Sequence, residues 1–428
     1  MDEREDIRLR EFRQLQRDIR GSKEHLIVGI DVAKERHRAF LGTARGKTLL
    51  RRLVFDNSRE GFEKLLVHTE AIRVQHGLRK TVFGLEPTAN YHKPLGEYLI
   101  RGGHHVVLVS NNAVKKNREL LDGRWDKHDT KDAANVADLI SQGKCLFYEY
   151  PSEALRSLRG LLSFKRRLKR LEHGYRVRIR NHLVAQYFPE LDRYYGRSSS
   201  EGLAIVRWCL APGVIAGLEF DHFVRLVTVR NGGLRQQRRL RMIWEQAAGS
   251  IGCEGGEVVE FEARMMVAGL RQIQEAIRLT EDKIKDICAR FPEYPYLLTI
   301  PGFGPDVSSK VLGAIGNPFR FERAPQVLKL AGYDLSADRS GKRSDAATPV
   351  ISKRGKADLR YALYQAALVA TSKNRYFIIW FTDKLQGRER DKGIGTKMRV
   401  KLAAKMLVIA WTLMKKKEPF DPTYLNRA

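Results

Sequence analysis

Two short apolar runs, each ending in a carboxylate, constrain this chain more than any other feature. Leu26-Ile27-Val28-Gly29-Ile30 closes on Asp31, and Thr81-Val82-Phe83-Gly84-Leu85 closes on Glu86. A bounded apolar run of this length reads as a strand buried on both faces, the condition of strands covered by helices. Further strands are expected near Ala39–Leu41, Leu53–Phe55 and His105–Val109, with helices over Ser58–Gln75 and near His92–Ile100. Three strands, a helix, a strand, a helix and a strand predict an α/β domain over residues 25–150.

The rest of the chain changes character. Residues 1–24 form a densely charged N-terminal extension, helical or mobile. From Glu153 to Tyr187 the spacing of Leu161, Phe164, Leu168, Leu171 and Tyr175 predicts a long helix with a coiled-coil seam. A second helix of the same rhythm is expected from about Val258 to Ala289, through Met266, Leu270, Ile273, Ile277, Ile284 and Ile287. The pair could form an antiparallel hairpin or join two subunits. Residues 151–291 are thus a coiled-coil region, interrupted by an insert at 189–256 of unassigned fold. Residues 292–428 read as a compact, mostly helical domain. The fold class expected is α/β plus α.

Charge narrows the partners. Seventy-eight Lys and Arg face 50 Asp and Glu, a formal net charge of +28. Such a surface attracts polyanions, nucleic acid first among them. An anionic membrane is the alternative partner, but no apolar run approaches the roughly 18 residues of a spanning helix, and the charged N-terminus is not that of a signal peptide. Cys145, Cys209, Cys253 and Cys288 are scattered without a CxxC pair, against a zinc site or a disulfide framework. A reducing cytoplasm is expected.

Four features could carry chemistry. Asp31 and Glu86 end strands, and Asp129 and Asp132 stand three apart, so that a helix starting at Asp129 would show both carboxylates on one face. Four converging carboxylates suit two Mg2+ ions about 3.5–4 Å apart, which clamp both oxygens of a phosphodiester displacement. Each acid also has a plain reading: Asp31 as a turn residue, Asp129 as a cap, Asp132 as a partner of Lys127 or Lys131. Second, Ile300-Pro301-Gly302-Phe303-Gly304 between two helices resembles a helix-hairpin-helix. Gly302 and Gly304 would let backbone N–H groups reach a DNA phosphate, or would only pack. Third, Ser340 lies in a glycine-containing loop beside Arg339, Lys342 and Arg343, cations that could stabilise a phosphate under attack. Fourth, Ser352, Lys353 and Arg354 precede a helix at Ala357–Thr371, as phosphate ligands or, for Ser352, as its N-cap. Lys165, Arg166, Arg167, Lys169 and Arg170 crowd one face of the first long helix and are expected to hold nucleic acid.

Taken in order, these motifs look like one family. Gly29-Ile30-Asp31-Val32-Ala33-Lys34, Glu86-Pro87-Thr88-Ala89-Asn90-Tyr91 and Lys127-His128-Asp129-Thr130-Lys131-Asp132-Ala133 resemble the DEDD signature of the insertion-sequence one-ten family of transposases. Ile300–Gly304, Ser340-Gly341, Ile351–Gly355 with Leu359-Arg360, and Pro419-Phe420-Asp421 resemble its serine-bearing domain. The resemblance covers roughly residues 25–185 and 258–425.

The resemblance implies an RNase H/RuvC-like first domain in which Asp31, Glu86, Asp129 and Asp132 bind Mg2+. It implies Ser340 as the nucleophile that forms a covalent phosphoserine with DNA. It implies a homodimer or tetramer whose active site joins the acids of one subunit to the serine of another. It implies target and donor DNA as substrates and a non-coding bridge or seeker RNA as guide, in a bacterial cytoplasm and on the nucleoid when bound. The chain departs from the family in its insert, its N-terminal extension and the lack of a proline before Ser340. That last departure makes Ser336 and Ser344 further candidates for the nucleophile. Two other readings remain open on sequence: a metal-dependent RuvC-like nuclease or junction resolvase without serine chemistry, and a non-catalytic nucleic-acid-binding protein.

Overall fold

The computed structural model describes residues 3–122, 129–194, 200–208, 211–228, 233–336 and 350–425. These fall into two compact units, Met1–Ser152 and Glu153–Ala428.

The first unit is built on one mixed six-stranded sheet. In chain order its elements are α1 (Glu3–Asp18), β1 (His25–Asp31), β2 (Arg36–Thr43), β3 (Thr48–Asp56), α2 (Arg59–Gln75), β4 (Lys80–Leu85), α3 (His92–Arg101), β5 (His105–Leu108), α4 (Asn111–Asp122), α5 (Asp129–Ser141) and β6 (Leu146–Phe147). The strand order is β3-β2-β1-β4-β5-β6. β1, β2 and β3 form an antiparallel meander, while β1, β4 and β5 run parallel. This is the RNase H/RuvC-like arrangement expected from the sequence.

Strand parity divides the core. Leu26, Val28 and Ile30 of β1, with Phe83 and Leu85 of β4, pack under Phe62 and Leu65 of α2 and Leu95 and Leu99 of α3. Ile27 and Val82 point the other way, against Val136, Ala137 and Ile140 of α5. Side chains two apart share a face. Gly29 and Asp31 of β1, and Gly84 and Glu86 beside it, therefore belong to the α5 side.

The N-terminal extension is neither loose nor apart. Leu15 of α1 and Ile19 just beyond it are buried in the α5-side core. Its polar groups are tied to the far end of the unit: Arg8 donates to the Tyr148 carbonyl at 2.8 Å, and Glu5 accepts from the Tyr150 amide at 2.9 Å. Fully buried apolar side chains fix a helix that its charged sequence alone would leave marginal.

The second unit is helical. α6 (Glu153–Arg178) runs through a π turn at Ile179–Val184 into α7 (Ala185–Tyr187). α8 (Ser200–Trp208), α9 (Pro212–Ala216), α10 (Phe220–Val227) and α11 (Leu234–Ala247) occupy the insert, and α12 (Glu257–Cys288) returns. Then come α13 (Tyr294–Leu298), α14 (Pro305–Ile315), α15 (Ala324–Ala331), the short pair β7 (Leu335–Ser336) and β8 (Val350–Ile351), α16 (Ala357–Lys373), α17 (Arg375–Leu385) and α18 (Ile394–Lys416).

α6 and α12 pair within the chain as an antiparallel hairpin. Lys165 meets Glu281 at 2.9 Å and His182 meets Glu262 at 3.9 Å, so rising numbers on one helix face falling numbers on the other. The seam keeps Leu168 of the one expected and departs from it at Phe164 and Leu171. Leu155, Leu158, Leu168 and Glu172 are buried, whereas Phe164 and Leu171 are 41% and 54% exposed. Each end of the hairpin is rooted in a different core. Leu155, Leu158, Ile284 and Cys288 join the core of residues 294–425. Ile179, Leu183, Ala263, Val267 and Leu270 join the core of the insert, with Phe223 and Leu240. Among the described residues no helix is long and apolar enough to cross a membrane.

Candidate nuclease and nucleic-acid sites

Two of the acids stand where β1 and β4 end. Ile30 is paired with Leu85, and the Glu86 amide donates to the Ile30 carbonyl at 3.4 Å. Asp31 and Glu86 are thus neighbours at the carboxyl ends of adjacent parallel strands, on the α5 face. α5 reaches them because β1 carries glycine there. A Cβ on Gly29 would stand 2.2 Å from the Ala133 carbonyl oxygen. α5 thus packs closely on the strand that ends in Asp31, and Asp132, one residue before Ala133, is only 3% exposed. Asp129 is the first residue of α5, three before Asp132; its side chain lies outside the described residues, as do Lys127 and His128.

Sequence reasoning overlooked the residues that hold this corner. Asn117 of α4 donates to Asn135 Oδ1 at 2.6 Å and to Asp138 Oδ2 at 2.8 Å, and Asn135 donates to the Val114 carbonyl at 2.7 Å. These buried amides lock α5 to α4, one turn after Asp132. His37 of β2 is fully buried, and its Nδ1 accepts from the Ala33 amide at 3.2 Å, fixing the turn that follows Asp31. Burial lowers the His37 pKa, against the opposing hydrogen bond of Asn57. A lone histidine within an alternating strand was the only signal available. Beyond Glu86, Ala89 adopts φ +44°, a left-handed backbone that a non-glycine residue takes at some cost.

All four carboxylates are hard oxygen donors, which suit a hard divalent cation better than zinc or copper. Among the described residues no group of three or more His, Cys, Asp or Glu is close enough to hold a metal. Asp31, Glu86 and Asp132 each have an electrostatic or hydrogen-bonding partner in this structure.

In the second unit the serine loop is closed by a strand pair. Leu335 pairs with Ile351 and Ser336 with Val350, so β7 and β8 bring the two ends of residues 337–349 together. Ser340, Arg339, Lys342, Arg343 and Ser344 lie outside the described residues; Ser336 ends β7. The base of this loop is tightly fastened. Ser352 does not cap α16, whose N-cap is Lys356; its hydroxyl instead donates to Asp334 Oδ1 at 2.5 Å. Arg360 donates to the Ala331 carbonyl at 2.8 Å, and Gly355 is pressed against the backbone of Ala331 and Gly332. Lys353 is held at φ +56°, and both Lys353 and Arg354 are exposed.

The two glycines of the turn have separate roles. Gly302 takes φ +89°, and a Cβ there would lie 2.4 Å from the Ala366 carbonyl oxygen, so its bareness serves packing of α13 and α14 on α16. Gly304, at the N-cap of α14, is exposed with open space around it.

The cations of α6 also divide. Lys165 is 12% exposed and bridges Glu281 at 2.9 Å and Asp306 at 2.7 Å. Burial acts to lower its pKa, but its bonds to the two carboxylates outweigh that and raise it. It is a structural staple. Arg166 pairs with Asp358 at 2.8 Å at the surface, and Lys169, half exposed, pairs at 3.1 Å with the buried Glu172. Arg167 lies over the Phe164 ring, and Arg170 is exposed.

The match to known families follows the same division. A family model described as a transposase, DEDD_Tnp_IS110, matches residues 28–189. A second, described as Transposase IS116/IS110/IS902 family, matches residues 294–378. Together they cover more than half of the chain, and the first points to dependence on a divalent metal. No curated protein gives a significant match. With the strand-end acids inside one match and the fastened loop inside the other, the chain belongs to the IS110 family of transposases, enzymes that cut and recombine the DNA of insertion sequences.

Proposed function

We propose that this transposase is an RNA-guided recombinase that moves its own insertion sequence through a covalent phosphoserine at Ser340. The observation that carries the reading is the placing of Asp31 and Glu86 at adjacent strand ends, with α5 packed through Ala133 and Ala137 on Gly29 of the same face. Asp31, Glu86, Asp129 and Asp132 would hold the metal, and an all-oxygen donor set suits Mg2+. Bound there, the cation supplies charge compensation to the phosphate being displaced.

The protein's own chemistry is transesterification. Ser340 Oγ attacks the phosphorus of a DNA phosphodiester. The Oγ–P bond forms as the bond to the leaving deoxyribose oxygen breaks; the serine proton goes to solvent, and the leaving oxygen takes a proton up. In rejoining, the hydroxyl of another DNA end attacks the phosphoserine and frees Ser340. Lys353 and Arg354, fixed beside the closed ends of the loop, are suited to bind the phosphate. Arg339, Lys342 and Arg343 add charge within it. The serine of one subunit works with the acids of another, in a dimer or tetramer. The excess positive charge supports a guide RNA as well as DNA, both gripped by their backbones, in the bacterial cytoplasm or on the nucleoid.

The test is a denaturing gel. Purified protein with its co-purifying RNA and magnesium is mixed with labelled DNA carrying the element's junction. A slow protein–DNA band that survives denaturant and disappears in Ser340→Ala is the expected result. Cut DNA without that band, or a band retained in the variant, refutes Ser340 as nucleophile and leaves the metal-dependent nuclease reading.

A further inference from the structure

A cavity of about 460 Å³ opens in the second unit among α6, α14 and the start of α16. Its lining has two chemistries. Leu162, Ala314 and Leu359 give it apolar wall, and Arg166, Lys169, Lys310 and Lys356 give it cationic rim; the acid among its lining residues is Asp358. Arg166 pairs with Asp358, Lys169 with Glu172 and Lys310 with Asp306; one member at least of each pair is about half exposed, and such pairs exchange cheaply for another anion. At the edge stands Tyr361, an aromatic ring left 64% exposed.

We infer that this cavity takes one unpaired nucleotide, its base stacked on Tyr361 over the apolar wall and its phosphate on the cationic rim. The volume lies within the range of small-molecule sites, roughly 300–1,000 Å³. A wholly apolar ligand would make no use of the exchangeable charges of the rim, and inorganic phosphate would leave the apolar wall and the ring uncovered. A nucleotide satisfies both. Bases inside a duplex are already stacked and cannot offer a face to Tyr361, whereas loops, bulges and single strands can. The inference rests on the basic surface being a nucleic-acid face, and it does not depend on Ser340 chemistry.

The full chain is titrated with a short single-stranded oligonucleotide carrying one 2-aminopurine, as RNA and as DNA, and with the duplex of the same sequence. Stacking quenches 2-aminopurine. The wild type should quench the single strand. Tyr361→Ala should abolish the quench and weaken single-strand binding about five- to a hundredfold, the range for loss of one stacked base. Tyr361→Phe should restore both, and duplex affinity should not move. AMP and inorganic phosphate are then added as competitors. If AMP relieves the quench, the site accepts free nucleotides; if AMP fails while the strand stays quenched, it serves nucleotides within nucleic acid. Either result supports a nucleotide pocket. Inorganic phosphate competing as well as AMP overturns it, as does Tyr361→Ala binding single strands like the wild type. Equal losses for duplex and single strand also overturn it, while leaving the nucleic-acid face intact. Failure of every probe to bind would overturn that face too.

Discussion

Gly29→Ala is the sharpest test of how the acidic corner is built. The added methyl would meet the Ala133 carbonyl oxygen at 2.2 Å, the Ala137 amide nitrogen at 2.6 Å and the Ala137 Cβ at 2.9 Å. Carbon contacts relax only near 3.5 Å, so α5 must retreat by about 1 Å. Two of the three obstacles are helix backbone and cannot rotate away. The buried amides of Asn117 and Asn135 resist the same movement. Overpacking costs typically 1–3 kcal/mol, and a rigid neighbour puts this case near about 3 kcal/mol. That corresponds to on the order of a hundredfold in an opening equilibrium. Gly84→Ala makes the comparison: its nearest obstacle, at 1.9 Å, is the Ile140 Cδ1, the end of a side chain that can change rotamer. About 1 kcal/mol, or roughly fivefold, is expected there. Hydrogen exchange of β1 and α5 amides in the intact chain reads both. Protection should collapse in Gly29→Ala and fall slightly in Gly84→Ala. Equal effects, or the reverse order, would show that α5 is not seated on Gly29 as described.

Acid should loosen the first unit. Burial lowers the pKa of His25, His37, His92 and His104, so the folded unit prefers neutral imidazoles. Their contribution is whole above the ordinary histidine pKa of about 6.5 and is lost as pH falls below it. Exchange protection in β1 and β4 should therefore drop between about pH 7.5 and 5.5, and protection that held or rose would contradict the assignment. Lys165→Ala should destabilise the second unit by about 1–2 kcal/mol, a value discounted because Glu281 and Asp306 are half exposed. Its effect on the salt dependence of DNA binding should be smaller than that of Arg170→Ala, for which a slope change of about 0.9 is expected if Arg170 holds one phosphate; denaturant melts and filter binding separate the two. Gly302→Ala should destabilise through both its φ and the Ala366 carbonyl, whereas Gly304→Ala should melt within about 1 kcal/mol of the wild type. Equal melting losses would remove the distinction between the two glycines.

The sheet was legible because buried strands announce themselves as apolar runs, and parity then decides which side an acid at the end must face. The placing of Asp31 and Glu86 needed nothing more. The helices were harder. α6 carries apolar residues on more than one stripe, so a three-four rhythm that adds Phe164 and Leu171 to Leu168 fits as well as the true seam, which joins Leu168 to Leu158 and Glu172. Only the partner helix chooses between them. Lys165 looked like its cationic neighbours because its partners, Glu281 and Asp306, are more than a hundred residues away. Ser352 stands before a helix as a cap would, yet Asp334 claims its hydroxyl. The insert resisted reading because α9 and α10 are 5 and 8 residues long, too short for a periodicity to emerge.

The insert also enters and leaves through one doorway. The Cys253 amide donates to the Gln186 carbonyl at 2.9 Å, and Gly252 abuts the Tyr187 backbone. Chain ends that already touch can be joined by a very short connector, since almost no closure entropy remains to be lost. The segment between them is thus a natural cassette, open to exchange for another of different size without disturbing the register of α6 against α12. Exchange has one condition. Ile179, Leu183, Val267 and Leu270 form the socket beneath it, and any replacement must refill that socket or arrive with those four residues turned polar.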